Sequence, residues 1–391
     1  MSPGVALPLW PPSNKLFDPL LNKSYSQKQS NQQINQVEKM DVKIIGGGII
    51  GTYLAKKLGE GTELWEKNEE VKRKTCGGLI SKTGLQSLNL PYEKAIMNEV
   101  KGAKIKAGER QLIVSKEETQ AYVLDMKKMK KKLRKQAVKK GAEVKTGKTW
   151  KPKEKNNEKI LIGADGAISQ VAKEKSFINQ FYSTYQIITE AKVDSDYVEL
   201  YMGKYTPNFF GWIIPLSKDK AKIGIGTFSK NPKKAFNEFL NSEDIQIDKD
   251  KVEREESAPI PIFDSSKKIV GKNWALVGDA AGQNKATTGG GVVIGCKSAE
   301  NLSEAIEEKN LKSYIKKQKK INKDLKTHLK IRKYLNRTDK EILIEKMNRK
   351  NADKIIEKYG DMDHPEKLKK EILKRPRFWL MGLDYLIKNK K

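Results

Sequence analysis

The chain has 391 residues, enough for a large core or for two domains, so a small disulfide-stapled scaffold is excluded. Its 78 Lys and Arg residues against 49 Asp and Glu give a formal net charge of +29, which predicts attraction to nucleic acid, a lipid surface or an acidic protein. Two cysteines, Cys76 and Cys296, and two histidines, His328 and His364, argue against a disulfide framework, a thiolate or histidine metal site and a Ser-His triad.

The N-terminal segment, residues 1–39, is predicted to be a disordered or mis-assigned extension. It is proline-rich at first and then rich in Gln, Asn and Ser. Its prolines precede its basic residues, which is the reverse of a secretory signal. Met40 stands directly before the first predicted strand and is therefore a candidate start. No apolar run approaches the roughly 20 residues that a membrane-spanning helix needs.

A glycine turn follows this segment. Residues 41–46 read as a short buried parallel strand, and residues 49–58 have helical spacing. Between them, Gly46, Gly48 and Gly51 form the pattern G-x-G-x-x-G. The first glycine permits a tight turn, the second lets a pyrophosphate approach the backbone, and the third lets the helix pack on the strand. The turn predicts a bound dinucleotide, with an ordinary glycine-rich loop as the alternative.

The second predicted strand ends in Glu66, twenty residues after Gly46. A carboxylate at this position can accept hydrogen bonds from the hydroxyls of an adenosine ribose, which favours an unphosphorylated ribose, as in FAD or NAD. Glu66 and the adjoining Lys67 are therefore predicted to contact the cofactor. The alternative is that Glu66 is merely solvated.

Two later strand ends bear on the choice between FAD and NAD. One leads into Gly-Ala-Asp-Gly around Asp165, which would lie near the cofactor unless it is an ordinary turn. The other leads into Gly278 and Asp279, where a carboxylate can hold a ribityl hydroxyl. A glycine-rich helix start then brings backbone N–H groups to a flavin or a phosphate. Its predicted contacts are Gly289, Gly290 and Gly291. Because neither contact has a role in a plain NAD site, the predicted cofactor is FAD.

Three segments are distinctive together, in this order along the chain: Cys76-Gly77-Gly78, residues 210–215 (FGWIIP) and residues 278–291 (GDAAGQNKATTGGG). They resemble, in the same order, the Cys-Gly-Gly segment, the Tyr-x-Trp-x-Phe-Pro substrate motif and the second flavin motif of the geranylgeranyl reductase family of flavoproteins. Archaeal members of that family saturate the isoprenoid chains of membrane lipids. The substrate motif here has Phe for Tyr and Ile for Phe.

The resemblance implies a fold of the α/β (α+β) class. A Rossmann-type FAD-binding domain of the glutathione-reductase or p-hydroxybenzoate-hydroxylase kind carries an antiparallel-sheet substrate domain and a helical C-terminal region. It also implies hydride transfer from reduced flavin N5 to a carbon–carbon double bond of a geranylgeranyl chain. The resemblance implies that the catalytic residues beside the flavin are Cys76, Gly77 and Gly78. It implies that the substrate site is lined by Phe210, Trp212 and Pro215. The arginine that the family has after the aspartate at Asp125 is Met126 here, which puts one FAD contact in question.

The domain boundaries follow from these motifs and from four stretches with alternating apolar and polar residues, which predict the strands of an antiparallel sheet. These stretches are residues 183–193, 197–202, 209–216 and 221–228. The predicted divisions are residues 1–39 as the extension, 40–180 with 270–308 as the FAD-binding domain, 181–269 as the substrate domain and 309–391 as the basic helical C-terminal region.

The positive charge is concentrated in predicted helices. In residues 125–140 one stripe is apolar and the remaining positions are largely lysine; residues 304–333 are also lysine-rich, and residues 373–388 combine aromatics with cations. The stripe consists of Met126, Met129, Leu133 and Ala137. The pattern predicts a cytoplasmic enzyme bound peripherally to an anionic membrane surface, with a solvated helical face as the alternative.

Partners and competing functions follow from what the motifs provide. The predicted substrate is an isoprenoid lipid, and because no second strand-G-x-G-x-x-G-helix unit occurs, electrons are predicted to come from an external donor, ferredoxin or reduced nicotinamide. One alternative is an FAD-dependent monooxygenase of an apolar or aromatic substrate, because a fold does not fix its chemistry. Another is a basic nucleic-acid-binding protein, although no helix-turn-helix, RNP or finger signature occurs and nucleic acid is not the expected partner.

Overall fold

The computed structural model of the protein describes residues 41–72, 75–152, 159–206, 208–361, 363 and 365–375. The predicted extension at residues 1–39 and the tail beyond residue 375 lie outside these residues. The strands, in chain order, are β1 Val42–Ile45, β2 Thr62–Glu66, β3 Leu79–Ser81, β4 Ile96–Val100, β5 Gly102–Ala107, β6 Arg110–Ser115, β7 Ala121–Leu124, β8 Glu143–Thr146, β9 Ile160–Gly163, β10 Phe181–Glu190, β11 Tyr197–Tyr201, β12 Gly211–Ser217, β13 Lys220–Thr227, β14 Val252–Pro261 and β15 Trp274–Leu276. The α-helices are α1 Ile49–Leu58, α2 Lys82–Gln86, α3 Met126–Lys139, α4 Gln170–Glu174, α5 Pro232–Ser242, α6 Val292–Glu307, α7 Ser313–Lys317, α8 Lys319–Arg337, α9 Lys340–Arg349, α10 Ala352–Tyr359 and α11 Pro365–Leu373.

A five-stranded parallel sheet carries the glycine turn. Its strand order is β15-β9-β1-β2-β8, and every pair in it is parallel. In the central strand, Val42 stands opposite Thr62 of β2 on one side and Ile160 of β9 on the other. The short apolar run of β1 is buried, as expected of a parallel strand covered on both faces. Helix α1 connects β1 to β2 and packs against α6, which confirms the predicted Rossmann-type unit.

Helix α3 covers this unit on the side of α1. Asp125 caps it, because its carboxylate accepts hydrogen bonds from the backbone N–H groups of Lys127 and Lys128. The predicted apolar stripe is confirmed: Met129, Leu133 and Ala137 are fully buried, and Met126 packs against the same core while half-buried itself. The lysines of α3 therefore lie on its remaining surface.

The second large sheet has seven strands in the order β14-β10-β13-β12-β11-β5-β6. The neighbouring strands are antiparallel except β11 and β5, which run parallel. The strands predicted between residues 183 and 228 are all present. The sheet is larger than predicted, however, because β5 and β6 come from residues 102–115, which the sequence assigned to the FAD-binding domain. A hydrophobic pattern cannot reveal that a distant hairpin adds to a sheet edge.

The seven-stranded sheet has two differently covered faces. On its outer face Ile213, Ile223 and Ile225 pack against Phe236 and Phe239 of α5. The opposite face is called the inner face. On it, one row across β10, β13 and β12 consists of Ile188, Lys222 and Ile214. The next row on the same face consists of Gln186, Gly224 and Trp212. The small sheet β3-β7-β4 lies against this inner face, because Val123 of β7 and Val100 of β4 share a buried cluster with Trp212.

The C-terminal helices are part of the same body as the sheets. Ile344 of α9 packs on Leu112 of β6, and Ile321 and Leu325 of α8 pack on Ile294 of α6. Within the part of the chain that the structure describes, no helix is both long enough and apolar enough to span a bilayer.

Candidate active site

Gly46 and Gly51 are required by their neighbours in the turn between β1 and α1. Gly46 has a φ of 110°, and a Cβ there would lie 2.4 Å from the carbonyl oxygen of Ala164. A Cβ at Gly51 would lie 2.0 Å from the carbonyl oxygen of Gly46. Both positions are therefore closed to any larger residue by backbone atoms, as the turn and the helix packing predict.

Gly48 is different from its two neighbours in the motif. It is the N-cap of α1 with φ −70° and ψ −175°, an extended conformation open to any residue, and no atom lies within 4 Å of a Cβ built on it. No contact among the described residues requires glycine at this position. The open space lies at the N-terminus of a ten-residue helix, where unpaired N–H groups favour an anion, and it fits the approach of a pyrophosphate.

Glu66 lies directly beside this turn. The residue is 9% exposed, and its Oε2 accepts a hydrogen bond from the Gly47 backbone N–H at 3.0 Å. Its Oε1 accepts hydrogen bonds from the backbone N–H and the side-chain amide of Asn68, at 2.9 and 2.6 Å. The carboxylate is thus held at the end of β2 next to the glycine turn, as predicted for a ribose contact. Lys67 is exposed to solvent, and its contact with the cofactor stays a prediction.

The second motif meets the first across the start of α1. A Cβ at Gly278 would lie 3.1 Å from Ile50 Cγ1, and a Cβ at Gly295 would lie 2.7 Å from Ile50 Cδ1. Asp279 Oδ1 accepts a hydrogen bond from Asn284 Nδ2 at 3.0 Å and would lie 3.1 Å from a Cβ at Gly291. Two segments more than 200 residues apart in sequence are therefore adjacent in the fold.

The Asp165 carboxylate binds the first turn of α4, whose N-cap residue is Ser169. Its Oδ2 accepts a hydrogen bond from the Gln170 backbone N–H at 2.7 Å, and its Oδ1 accepts one from Ser169 Oγ at 2.5 Å. Burial raises the pKa of the Asp165 carboxyl despite these hydrogen bonds. The backbone of Ala164 and Asp165 faces Gly46 closely. This segment therefore borders the glycine turn through its backbone, while the carboxylate organises the local turn.

The Cys-Gly-Gly loop contacts the inner face of the seven-stranded sheet. A Cβ at Gly77 would lie 2.9 Å from Cδ1 of Ile214, and the Gly78 backbone N–H donates to Cys76 Sγ at 3.4 Å. Cys76 is half-buried, whereas Cys296 is fully buried in α6. Lys222 of β13 donates hydrogen bonds to the carbonyl oxygens of Cys76 and Gly77, at 2.9 and 2.8 Å.

The predicted substrate stretch divides between the two faces of the sheet. Phe210 and Trp212 are 8% and 7% exposed and lie on the inner face, with ring centroids 6.0 Å apart. Pro215 stands in register with Ala221, which belongs to the outer-face cluster. Because side chains alternate along a strand, Pro215 points away from Trp212. Ile214, and not the predicted Pro215, lies on the inner face beside Trp212.

The comparisons with known proteins show the family of this chain. Residues 181–258, from β10 into β14, match the family model of the geranylgeranyl reductase catalytic domain. An uncharacterised protein of Methanocaldococcus jannaschii is 31% identical over 376 residues, covering 85% of this chain and 95% of the relative. The digeranylgeranylglycerophospholipid reductase of Thermoplasma acidophilum is 29% identical, covering 69% of this chain and 80% of that enzyme. The chain belongs to the geranylgeranyl reductase family.

Solved structures agree on the fold. The crystal structure of a geranylgeranyl bacteriochlorophyll reductase-like protein from Thermoplasma acidophilum matches with a TM-score of 0.73 at 24% identity, covering 88% of this chain and 98% of that one. A probable FAD-dependent monooxygenase from Pseudomonas aeruginosa matches with a TM-score of 0.56 at 15% identity, covering 78% of this chain and 99% of that one. This geranylgeranyl reductase family member therefore has the fold of flavin-dependent oxidoreductases, as predicted.

Among the described residues of this family member, the buried polar groups without a hydrogen-bond partner include one on Asn284 and one on Arg134. Asn284 Oδ1 belongs to the side chain that donates to Asp279. Arg134 of α3 has its Nε and Nη2 buried, and burial lowers the pKa of its guanidinium while the charge of Glu66 opposes that shift. Together with the open space at Gly48, these groups fit a polar ligand that extends from the second motif to Glu66.

The loop of the second motif is anchored by three residues of the C-terminal region that were not predicted from the sequence. Arg332 of α8, 3% exposed, donates to the carbonyl oxygens of Ala286 and Thr287, at 2.9 and 2.7 Å, and to that of Phe209 at 3.3 Å. Burial lowers the pKa of its guanidinium to about 10. The guanidinium also lies over the Phe209 ring, 5.0 Å from the centroid.

The other two anchors are His328 of α8 and Asp363. His328 Nδ1 is 2.7 Å from the Thr287 hydroxyl, and burial together with the nearby charge of Lys285 lowers the pKa of the imidazole to about 4. Asp363 forms a buried ion pair with Lys285 at 2.7 Å and accepts a hydrogen bond from Ser81. Burial opposes ionisation of Asp363, but the charge and hydrogen bond of Lys285 and the hydrogen bond of Ser81 hold the pKa of the carboxyl below its usual range.

Proposed function

We propose that this geranylgeranyl reductase family member saturates carbon–carbon double bonds in the isoprenoid chain of a membrane lipid, with FAD as its bound hydride donor. One observation carries the proposal: the triple-glycine loop of the second flavin motif touches the aromatic stretch of the apolar sheet. A Cβ at Gly289 would lie 3.2 Å from Phe209 Cζ and 3.0 Å from Ile260 Cδ1. A flavin held by that loop and an apolar chain held by that sheet would therefore be neighbours.

The cofactor contacts follow from the geometry of the two motifs. The backbone N–H groups at the start of α1 would hold the pyrophosphate beside Gly48, and the Glu66 carboxylate would accept hydrogen bonds from the adenosine ribose. Asp279 and the N-terminus of α6 at Gly291 would hold the ribityl chain and the flavin. Reduced FAD supplies a hydride when it is bound.

The residues around the sheet supply what an unconjugated alkene requires. No carbonyl activates such a double bond, so the protein must position the chain, exclude water and provide a proton for the second carbon. The inner face contains a buried apolar cluster that includes Phe210, Trp212 and Ile214. Cys76 carries a half-buried thiol, and its loop is hydrogen-bonded to Lys222 of that face. We assign the proton transfer to this part of the site.

The lipid would be reached from a membrane surface. The exposed residues of α3 include Lys128, Lys131, Lys135 and Lys139, which form a basic stripe opposite its buried apolar stripe. Each such residue near an anionic surface contributes about 1 kcal/mol. Co-sedimentation with anionic and neutral vesicles tests this part: equal binding to both would exclude electrostatic attachment. We also propose that an external donor, ferredoxin or reduced nicotinamide, supplies the electrons, because no second strand-G-x-G-x-x-G-helix unit occurs in the sequence.

Mass spectrometry of lipids tests the reaction itself. Cells that make unsaturated geranylgeranyl lipids would express this chain, and the same cells without it are the control. The expected result is a lipid that gains one pair of hydrogens for each double bond reduced, only in cells that express this chain. An oxygen atom gained instead, with matching oxygen consumption, would support the alternative that the flavoenzyme fold also allows, a monooxygenase.

A further inference from the structure

Lys222 lies in the middle of β13, on the inner face of the seven-stranded sheet. The residue is 7% exposed and stands in register with Ile188 of β10 and Ile214 of β12. A lysine ammonium among aliphatic side chains is costly to bury unless hydrogen bonds take up its donors. The groups that it contacts therefore indicate why a lysine occupies this position.

Two of those groups are carbonyl oxygens of the Cys-Gly-Gly loop. Lys222 Nζ lies 2.9 Å from the Cys76 oxygen and 2.8 Å from the Gly77 oxygen. On the far side of the loop, the Leu124 backbone N–H of β7 donates to the Gly78 oxygen at 2.9 Å. The loop is thus held between the large sheet and the small one.

The space around the loop leaves little freedom for it to move. A Cβ at Gly78 would lie 2.8 Å from the Leu124 carbonyl oxygen and 3.2 Å from Lys222 Nζ. Gly78 also has a φ of 75°, a conformation that favours glycine. Because its N–H donates to Cys76 Sγ, the conformation of the loop decides where the sulfur lies.

We propose that Lys222 is a positioning residue: it holds the Cys-Gly-Gly loop against the inner face and thereby fixes the Cys76 thiol beside the apolar site. Hydrogen bonds from an ammonium are charge-assisted and restrain a loop more strongly than neutral ones. The effect expected on turnover rests on the proposed function, whereas the tether is a property of the loop alone. Lys222 acts through the loop carbonyls and leaves the chemistry of Cys76 itself unchanged.

Alkylation of Cys76 measures the tether directly. The chain has two cysteines, and Cys296 is 0% exposed with a thiol pKa that burial raises, so iodoacetamide on the native holoenzyme reports on Cys76. Lys222→Met keeps the length of the side chain and removes its donors. We expect it to raise the alkylation rate about tenfold, because the loop opens more often once these hydrogen bonds are lost. Cys76→Ala gives the background rate.

Lys220→Met is the matched control. Lys220 belongs to the same strand, but its side chain is 34% exposed and pairs with Glu253 at the surface. We expect its alkylation rate to equal that of the wild type. A wild-type rate in Lys222→Met overturns the proposal, and so does an equal rise in Lys220→Met. If Lys222→Met does not fold, the neutral and shorter Lys222→Gln replaces it with the same expected rise, since its amide cannot reach both carbonyls.

Turnover separates this proposal from the proposed function. With a prenyl lipid as substrate, Lys222→Met should lower kcat about tenfold while bound FAD and KM stay near wild type, because only the position of the loop changes. Faster alkylation with no prenyl reduction by the wild type would leave the tether standing and refute the function. Prenyl reduction by the wild type together with an unchanged alkylation rate in Lys222→Met would support the proposed function and refute the tether.

Discussion

Gly48 and Gly51 belong to one turn but are glycines for different reasons, and two alanine substitutions separate those reasons. In Gly51→Ala the new Cβ lies 2.0 Å from the Gly46 carbonyl oxygen, so the helix must shift away from the strand. Overpacking of this kind costs about 1–3 kcal/mol of folding free energy. In Gly48→Ala the new methyl group meets no atom within 4 Å, and the backbone is already extended.

The expected effect of Gly48→Ala on the apoprotein is close to zero. Alanine restricts the unfolded chain and stabilises the fold by about 0.4–1 kcal/mol, whereas its poorer N-cap preference costs a comparable amount. Its effect on cofactor binding is expected to be large, because the methyl group occupies the space assigned to the pyrophosphate. We expect a loss of FAD affinity of at least about tenfold, equivalent to about 1.4 kcal/mol.

Two measurements decide this prediction. Urea unfolding of the apoproteins, followed by circular dichroism, gives the folding free energies, and quenching of flavin fluorescence gives the dissociation constants for FAD. Gly51→Ala should lose stability, and Gly48→Ala should lose affinity alone. Wild-type FAD affinity in Gly48→Ala would refute the placement of the pyrophosphate at this turn. A loss of stability in Gly48→Ala would refute the interpretation of the open space.

Three further predictions concern the anchors and the thiol. Asp363→Asn leaves the Lys285 charge buried without its counter-ion and should cost about 3 kcal/mol in urea unfolding at pH 7, with a smaller cost near pH 3, where the wild-type pair itself weakens. His328 has a folded pKa of about 4 against 6.5 unfolded, so the unfolded chain binds the extra proton and stability should fall as the pH drops from about 6.5 to about 4. This shift corresponds to a loss of about 3 kcal/mol in the free energy of unfolding between these pH values. His328→Gln should flatten the plot of unfolding free energy against pH in that range. An unchanged plot would exclude His328 as the cause of the loss. Cys76→Ala should keep the flavin absorbance and lower turnover, and unchanged turnover would remove Cys76 from the mechanism.

The sequence predicts those parts of the site whose residues are set by local geometry. Gly46 and Gly51 are recognisable because a strand, a tight turn and a helix follow each other directly, and the structure closes both positions with backbone atoms. Glu66 is recognisable because it ends the adjacent parallel strand, and β1 and β2 are paired. In these cases a short stretch of chain contains both the residue and the reason for it.

The contact of Lys222 with the Cys-Gly-Gly loop could not be predicted in the same way, because the two carbonyl oxygens lie 146 and 145 positions away in the sequence. In the pattern of β13, Lys220 and Lys222 alternate with apolar residues and suggest a solvated face. The useful signal was the pair of glycines on the same side of the strand. A Cβ at Gly224 would lie 2.6 Å from the Trp212 ring, and one at Gly226 would lie 2.2 Å from the Phe209 ring. Glycines at alternate positions of a strand indicate that large side chains pack over that face.

In the basic C-terminal region, helix α8 has a buried face that contacts the site and an exposed face that carries lysines. The buried face of α8 contains Ile321, Leu325, His328 and Arg332, at intervals of four, three and four residues. The spacing is helical, but His328 and Arg332 are polar. A pattern of apolar and polar residues therefore predicts that both are exposed to solvent, and the whole helix is interpreted as a charged surface element. Arg332 instead bonds the flavin-motif loop to Phe209 of the substrate sheet. Exposed lysines of α8 should therefore be replaceable with effects only on anionic partners, while a change at Arg332 should disturb the site and leave the surface charge nearly intact.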